Sequence, residues 1–147
     1  VFGKIDDYES PKYSVISKHK EFEIRSFMSQ IAIDGPTDVK NDGTGFGNLA
    51  KYIGVGSQPQ NDKSQAISMT APVVTYDNDT DNGTRMQFIL PSQFIRNKEE
   101  PPQPLHKDLN LITRDSSVYA VMTFSGLYSH SDAIPKKNEL IQLLQNE

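Results

Sequence analysis

Short stretches in which apolar side chains alternate with polar ones recur along this 147-residue chain, and that period of two limits the backbone more than any other feature. Phe22 and Ile24 alternate with Glu23 and Arg25, and Met86, Phe88 and Leu90 repeat the pattern. Neighbouring side chains of an extended strand point to opposite faces, so each stretch reads as a half-buried strand. Tyr13 to Lys18 is a further strand candidate, and Gln30 to Ile33 extends the Phe22 to Met28 strand after a bend. Ile67, Met69, Ala71 and Val73 also alternate, with Pro72 marking an edge strand or a bulge. Leu109 to Thr113 and Val118 to Phe124 read as a hairpin around Asp115-Ser116-Ser117.

Two segments change period. Phe46, Leu49, Ala50 and Ile53 recur at helical spacing, with Thr44 placed to cap the start and Gly54 to end the helix as its C′ residue. Ile134, Ile141 and Leu144 form a second stripe, broadened by Leu140 and Leu143. Ser131 is its expected cap, which puts Pro135 in the first turn, where no backbone N–H is missed. Polar loops over 54–65, 77–84 and 96–107 separate these elements, the last an extended connector with Pro101, Pro102 and Pro104. The order is α+β: strands, a helix and strands, then strands and a second helix. It reads as a β-β-α-β unit followed by an unfinished copy.

Chain length fits one compact domain over residues 1–147. With no cysteine, disulfides, thiolate metal sites and thioether haem attachment are excluded. Nineteen acids against fifteen Lys plus Arg, with no basic block, argue against nucleic acid as a partner. No apolar run approaches a membrane span.

The catalytic motifs are weak. Gly43-Thr44-Gly45-Phe46-Gly47 lacks both the preceding buried strand and the Lys-Ser/Thr of a phosphate loop. Asp77, Asp79 and Asp81 start like a calcium loop, but Gly83 comes one place late and Phe88 stands where a bidentate Glu is needed. A solvated hairpin tip fits better. Asn78-Asp79-Thr80 and Asn82-Gly83-Thr84 match glycosylation sequons that matter only in a secreted chain. His19, His106 and His130 are too scattered for a metal site, and no nucleophile–base pair stands out. From residue chemistry alone, a catalytic reading has nothing to stand on.

The run Ile67-Ser68-Met69-Thr70-Ala71-Pro72-Val73 resembles the M-T-A-P-V signature of the SOUL haem-binding family. Phe22-Glu23-Ile24-Arg25 is similar to the family's Y-E-I-R strand, and Gly45-Phe46 through Gly54 to its first helix. Phe88-Ile89-Leu90-Pro91-Ser92, Pro101-Pro102-Gln103-Pro104 and Phe124-Ser125-Gly126 resemble later blocks in order. Val1-Phe2-Gly3-Lys4-Ile5 and Ser10-Pro11-Lys12-Tyr13 resemble the plant-type cytosolic members, which implies a cytoplasmic location.

The resemblance implies a distorted barrel or sheet of two repeats with two flanking helices, like the effector-binding domains of drug-responsive regulators. Family members continue past the second helix with a Y-N-P-P-like loop and an N-E-V strand, neither present here. The second repeat is therefore expected to be truncated, its strands supplied by further chain, by a protein partner or by a second chain.

The resemblance also implies non-covalent binding of haem or another tetrapyrrole, as a carrier or buffer, in a groove along the first helix. Phe46, Leu49, Ala50 and Ile53 would form its apolar side and Lys51 its rim cation for a propionate. Ser26 stands where some members carry an axial histidine. An apolar stripe at helical spacing packs inward by default, so a plain core helix is the competing reading of the same residues. The competing function is a small-molecule sensor or protein-interaction module with little haem affinity.

Overall fold

The computed structural model describes residues 8–37, 42–78, 83–126 and 130–146. Among these residues, seven strands and three helices follow one another: β1 (Tyr13–Lys18), β2 (Glu23–Phe27), β3 (Gln30–Thr37), α1 (Asp42–Ile53), β4 (Val73–Asn78), β5 (Gly83–Ile89), α2 (Gln93–Arg96), β6 (Asn110–Arg114), β7 (Ser117–Val121) and α3 (His130–Gln145). The chain is α+β, as the residue pattern indicates. It has two separate antiparallel sheets among the described residues, ordered β4-β5-β3-β6 and β1-β2-β7, rather than a closed barrel. Among the described residues there are three helices, one more than expected, because the single turn of α2 is too short for its period to be read from sequence.

The two sheets belong to two compact units, one of Val1–Pro11 with Ser29–Asp115, the other of Lys12–Met28 with Ser116–Glu147. The bend between β2 and β3 marks one passage between units, at Met28 and Ser29. The expected hairpin of β6 and β7 does not form: β6 pairs with β3 and β7 with β2. Asp115-Ser116 lacks the Asn-Gly or Gly-X chemistry that folds strands back on each other through two residues. Leu109 joins the core of the first unit and Leu111 packs against it, which draws β6 there.

In the first unit, β3 is a central strand between β5 and β6. Pro36 lies beyond the last β3–β6 pair, Asp34 with Asn110, so its missing N–H faces no second neighbour. The core forms where α1 packs on β3 and β5, with Ile33, Met86, Phe88, Leu49, Tyr52 and Ile53 at its centre. The helix approaches β3 closely because Gly45 has no side chain, since a Cβ there would lie 3.0 Å from the Thr37 Cα. The helix starts at Asp42, so Thr44 is inside it rather than its cap. Its C-terminus is as expected: Gly54 adopts φ +90°, and the Val55 and Gly54 amides donate to Ala50 at 2.9 Å and Lys51 at 3.2 Å. That pair of bonds is a Schellman motif, which satisfies carbonyls the helix leaves open.

The strand expected over Ile67 to Val73 begins only at Val73, as the edge strand β4. Pro72 has no N–H for a ladder, and before it Thr70 makes only an isolated bridge to Glu9. β4 and β5 form the expected hairpin, from Val73–Phe88 to Asn78–Gly83. Its acidic tip at Asp79 and Asp81 lies outside the described residues, as do Thr80 and Asn82 of the two sequons and the Val1 to Ile5 block.

Loop 54–65 and the proline segment are stapled together. The Tyr52 hydroxyl donates to the Pro102 carbonyl at 2.7 Å. Buried Asn61 donates to the Tyr52 and Gln65 carbonyls, both at 2.9 Å, and accepts from the Lys63 and Gln65 amides. In the second unit, α3 contains Pro135 beyond its first turn, because the helix begins at His130 and not after Ser131. The Ser131 side chain is outside the described set. Ile134, Ile141 and Leu144 remain exposed along the helix.

Three substitutions are measurable by urea denaturation. Gly45→Ala should destabilise the chain by about 1–3 kcal/mol, because Thr37 backbone blocks the new methyl. Gly47→Ala in the same helix meets nothing within 4 Å and should stabilise by up to about 1 kcal/mol through helix propensity. Burial first, and then the Asp62 charge, hold the Tyr52 phenol protonated above its ordinary value of 10. Above pH 10 the unfolded chain therefore binds fewer protons than the folded one. The stabilisation is complete below that pH and declines above it. Tyr52→Phe should cost about 1–2 kcal/mol at neutral pH and flatten the alkaline decline.

Candidate functional site

Helix α1 carries all five residues expected to hold a ligand, and the structure divides them. Leu49 is 0% exposed and Ile53 2%, both packed in the core, with Ala50 buried beside them. Phe46 is 41% exposed, although its ring meets Phe88 edge-on at 5.2 Å between centroids. Lys51, further along the helix, is exposed. A helical turn of 3.6 residues sets Gly47 and Lys51 opposite Leu49 and Ile53, which face β3 and β5, whereas Phe46 lies on the side of Leu49 and Ile53, one turn nearer the helix start. Around Gly47 the surface is open, since a Cβ there would meet nothing within 4 Å. What α1 offers a ligand from outside is an aromatic edge at Phe46, a flat strip at Gly47 and a cation at Lys51. Leu49, Ala50 and Ile53 hold that strip in place from beneath.

The opposite face of the same sheet carries a polar cluster that the residue pattern did not reveal. Asp34 is 4% exposed and accepts from the Tyr76 hydroxyl at 2.7 Å, Arg85 Nε at 2.6 Å and Gln87 Nε2 at 3.1 Å. Arg114 Nη1 in turn donates to Gln87 Oε1 at 3.1 Å. β4 and β5 thus send side chains to one residue of β3, and β6 joins the set through Gln87. Burial raises the Tyr76 pKa, and its bond to the Asp34 carboxylate adds to this. At Arg85 burial opposes the charge, but the hydrogen bond and charge of Asp34 outweigh it and the pKa rises. The cluster is arranged to keep Arg85 charged and Tyr76 protonated. Its signal in the sequence was an acid, Asp34, following Ile31, Ala32 and Ile33 in a strand otherwise built for burial.

The signature run around Thr70 is structural in this chain. The Thr70 hydroxyl donates to the Ile89 carbonyl, and the Ala71 amide donates to the Glu9 carbonyl at 2.9 Å. Glu9 Oε1 accepts from the Ser92 amide at 3.0 Å, which ties the segment to the turn before α2. The motif fixes where β4 enters the sheet.

His19 stacks on Phe22 at 4.4 Å and lies 3.1 Å from the Ser17 hydroxyl. His106 Nδ1 accepts from the Asp108 amide at 3.1 Å. The His130 side chain lies outside the described set. Among the described residues no group of three or more His, Asp or Glu is placed to hold a metal ion. Ser26 sits in β2, paired with Ser14 and Val118.

Comparison with known proteins accords with these features. The profile of a family described as "SOUL heme-binding protein" matches residues 8–147. Heme-binding protein 2 of Homo sapiens is 33% identical over 88 residues, a stretch that covers 58% of this chain and 41% of that protein. The match thus spans less than half of the human relative's length. A family match that takes in both sheets, all three helices and the Thr70 segment means that the chain belongs to the SOUL heme-binding protein family.

Proposed function

We propose that this chain is a single-domain tetrapyrrole carrier or buffer that binds haem or a related macrocycle non-covalently against the outward flank of α1. Family membership over residues 8–147 is the observation that carries this reading. The flank suits such a ligand. Phe46 presents apolar ring surface, Gly47 leaves room for a flat face, and exposed Lys51 can lay its stem along a ligand while its ammonium stays wet. With no cysteine in the sequence, thioether attachment has no side chain to use. A bound tetrapyrrole would supply the flat apolar surface and the carboxylates. Phe46 and Lys51 would meet these two features in turn.

A cytoplasmic location is part of the same proposal. So is the two-repeat reading, in which two strands, α1 and a strand make one β-β-α-β unit and the later strands with α3 belong to a second. β7 has β2 as its one strand neighbour among the described residues. A protein partner or second chain adding a strand at its other edge is the partner this reading implies.

The competing reading, a sensor or interaction module with little haem affinity, draws on the burial of Leu49 and Ile53. Those side chains are already used by the core, which leaves a shallow surface in place of a deep groove.

Haemin titration followed by Soret absorbance separates the two. Saturation at micromolar haemin supports the carrier, and failure of the folded chain to saturate sinks it. The Lys51 contact would be rim-exposed and worth about 1 kcal/mol or less. Lys51→Ala should weaken binding a few-fold and Lys51→Glu more, with both effects shrinking as salt is added. Equal affinities for all three at low salt would leave Lys51 a plain surface residue. Replacing His19, His106 and His130 together by Ala should leave the Soret spectrum nearly unchanged, and a large loss would show that a loop histidine reaches the iron.

A further inference from the structure

The sheet of the second unit carries an exposed aromatic row. Tyr13, Phe27 and Tyr119 come from β1, β2 and β7. Tyr13 pairs directly with Phe27, and Tyr119 lies on the neighbouring diagonal. Ring centroids are 5.3 Å apart from Tyr13 to Phe27 and 5.7 Å from Phe27 to Tyr119. Tyr13 is 46% exposed and Tyr119 43%. Arg25 occupies the same face, paired across the ladder with Tyr119, its guanidinium 4.2 Å from the Tyr13 ring centroid. Glu23 holds Arg25 by Nε at 2.9 Å, which fixes the guanidinium and leaves its two terminal nitrogens outside that bond. Neither tyrosine hydroxyl is hydrogen-bonded to another described residue.

Large aromatic side chains left facing water in a contiguous row mark a binding surface. Aromatic rows on a sheet take flat conjugated ligands because every such ligand has a π-face to offer. The rings tilt by 42° and 73° in succession, so a flat ligand meets both ring faces and ring edges, each a favourable contact. An arginine anchored beside them selects for carboxylate, which its fork-shaped donor set matches. The two phenols add donors at either end of the row.

We propose that Tyr13, Arg25, Phe27 and Tyr119 form a second seat for a planar carboxylated macrocycle, built by the second unit alone and independent of α1. It rests on the reading that this chain takes tetrapyrroles. Binding there is by stacking and carboxylate pairing, so it needs no iron.

Titration of the chain with metal-free protoporphyrin and with haemin tests this. The wild type should bind two equivalents of either. Tyr119→Leu, which keeps bulk and strand character but has no ring, should weaken one equivalent about tenfold and leave the other unchanged. Tyr119→Phe should restore it, and Phe46→Ala with Lys51→Glu should weaken only the other equivalent. Acetylation of tyrosines by N-acetylimidazole, mapped by mass spectrometry on the wild type, gives a readout that depends on no variant. Saturating protoporphyrin should protect Tyr13 and Tyr119. One equivalent sensitive only to the α1 variants, with both tyrosines still labelled, would overturn the second seat and leave the carrier standing. No binding of either porphyrin would remove both. A wild-type dimer that Tyr119→Leu converts to monomer, with porphyrin binding unaffected, would show that a second copy covers the row and would likewise overturn the proposal.

Discussion

Asp34 ties the larger sheet together. It sits in the central strand, almost wholly removed from water, and a carboxylate in that position is tolerated only if its oxygens are bonded. Tyr76 from β4 and Arg85 and Gln87 from β5 supply the bonds, and Arg114 from β6 secures Gln87. A slip of β5 by one residue would put Met86 where Gln87 stands and turn the polar set to the other face. The cluster therefore sets strand register in a way that apolar packing, which is less directional, does not.

Register on that face fixes what happens on the other. With Asp34 turned away from α1, Ile33 points toward it, and the helix seats Leu49 and Ile53 in the core with Met86 and Phe88. Gly45 allows the close approach and Gly54 ends the helix, so Phe46 and Lys51 are left on accessible surface. The staple from Tyr52 and Asn61 then holds the loop that follows. The same residues that make α1 rigid remove most of its apolar stripe from any ligand. A tetrapyrrole on α1 would have an edge and a rim to use, and the second unit offers aromatic surface of another kind.

Several elements were readable from residue order. The stripe from Phe46 to Ile53 gave α1, Gly54 gave its end, and the alternation through Phe88 gave β5 and the hairpin with β4. Others were not. β6 and β7 are neighbours in sequence and looked like a hairpin, but each pairs with a strand more than seventy residues away in order to reach a different core or edge. A cap at Ser131 would place Pro135 in the first turn, but α3 begins at His130 and carries Pro135 beyond it.

By itself the sequence determined the α+β class, the position of α1, the absence of cysteine chemistry and, through the Thr70 segment and its companion blocks, the likeness to the SOUL family. These follow from local periodicity and from short ordered motifs, which need no knowledge of distant contacts. Tertiary structure alone decided that Leu49 and Ile53 are core while Phe46 is surface, that side chains of β4 and β5 meet on Asp34 of β3, and that Tyr13, Phe27 and Tyr119 form one row. The last two bring together residues far apart in the chain. Strand register, which no local pattern encodes, is what places them side by side.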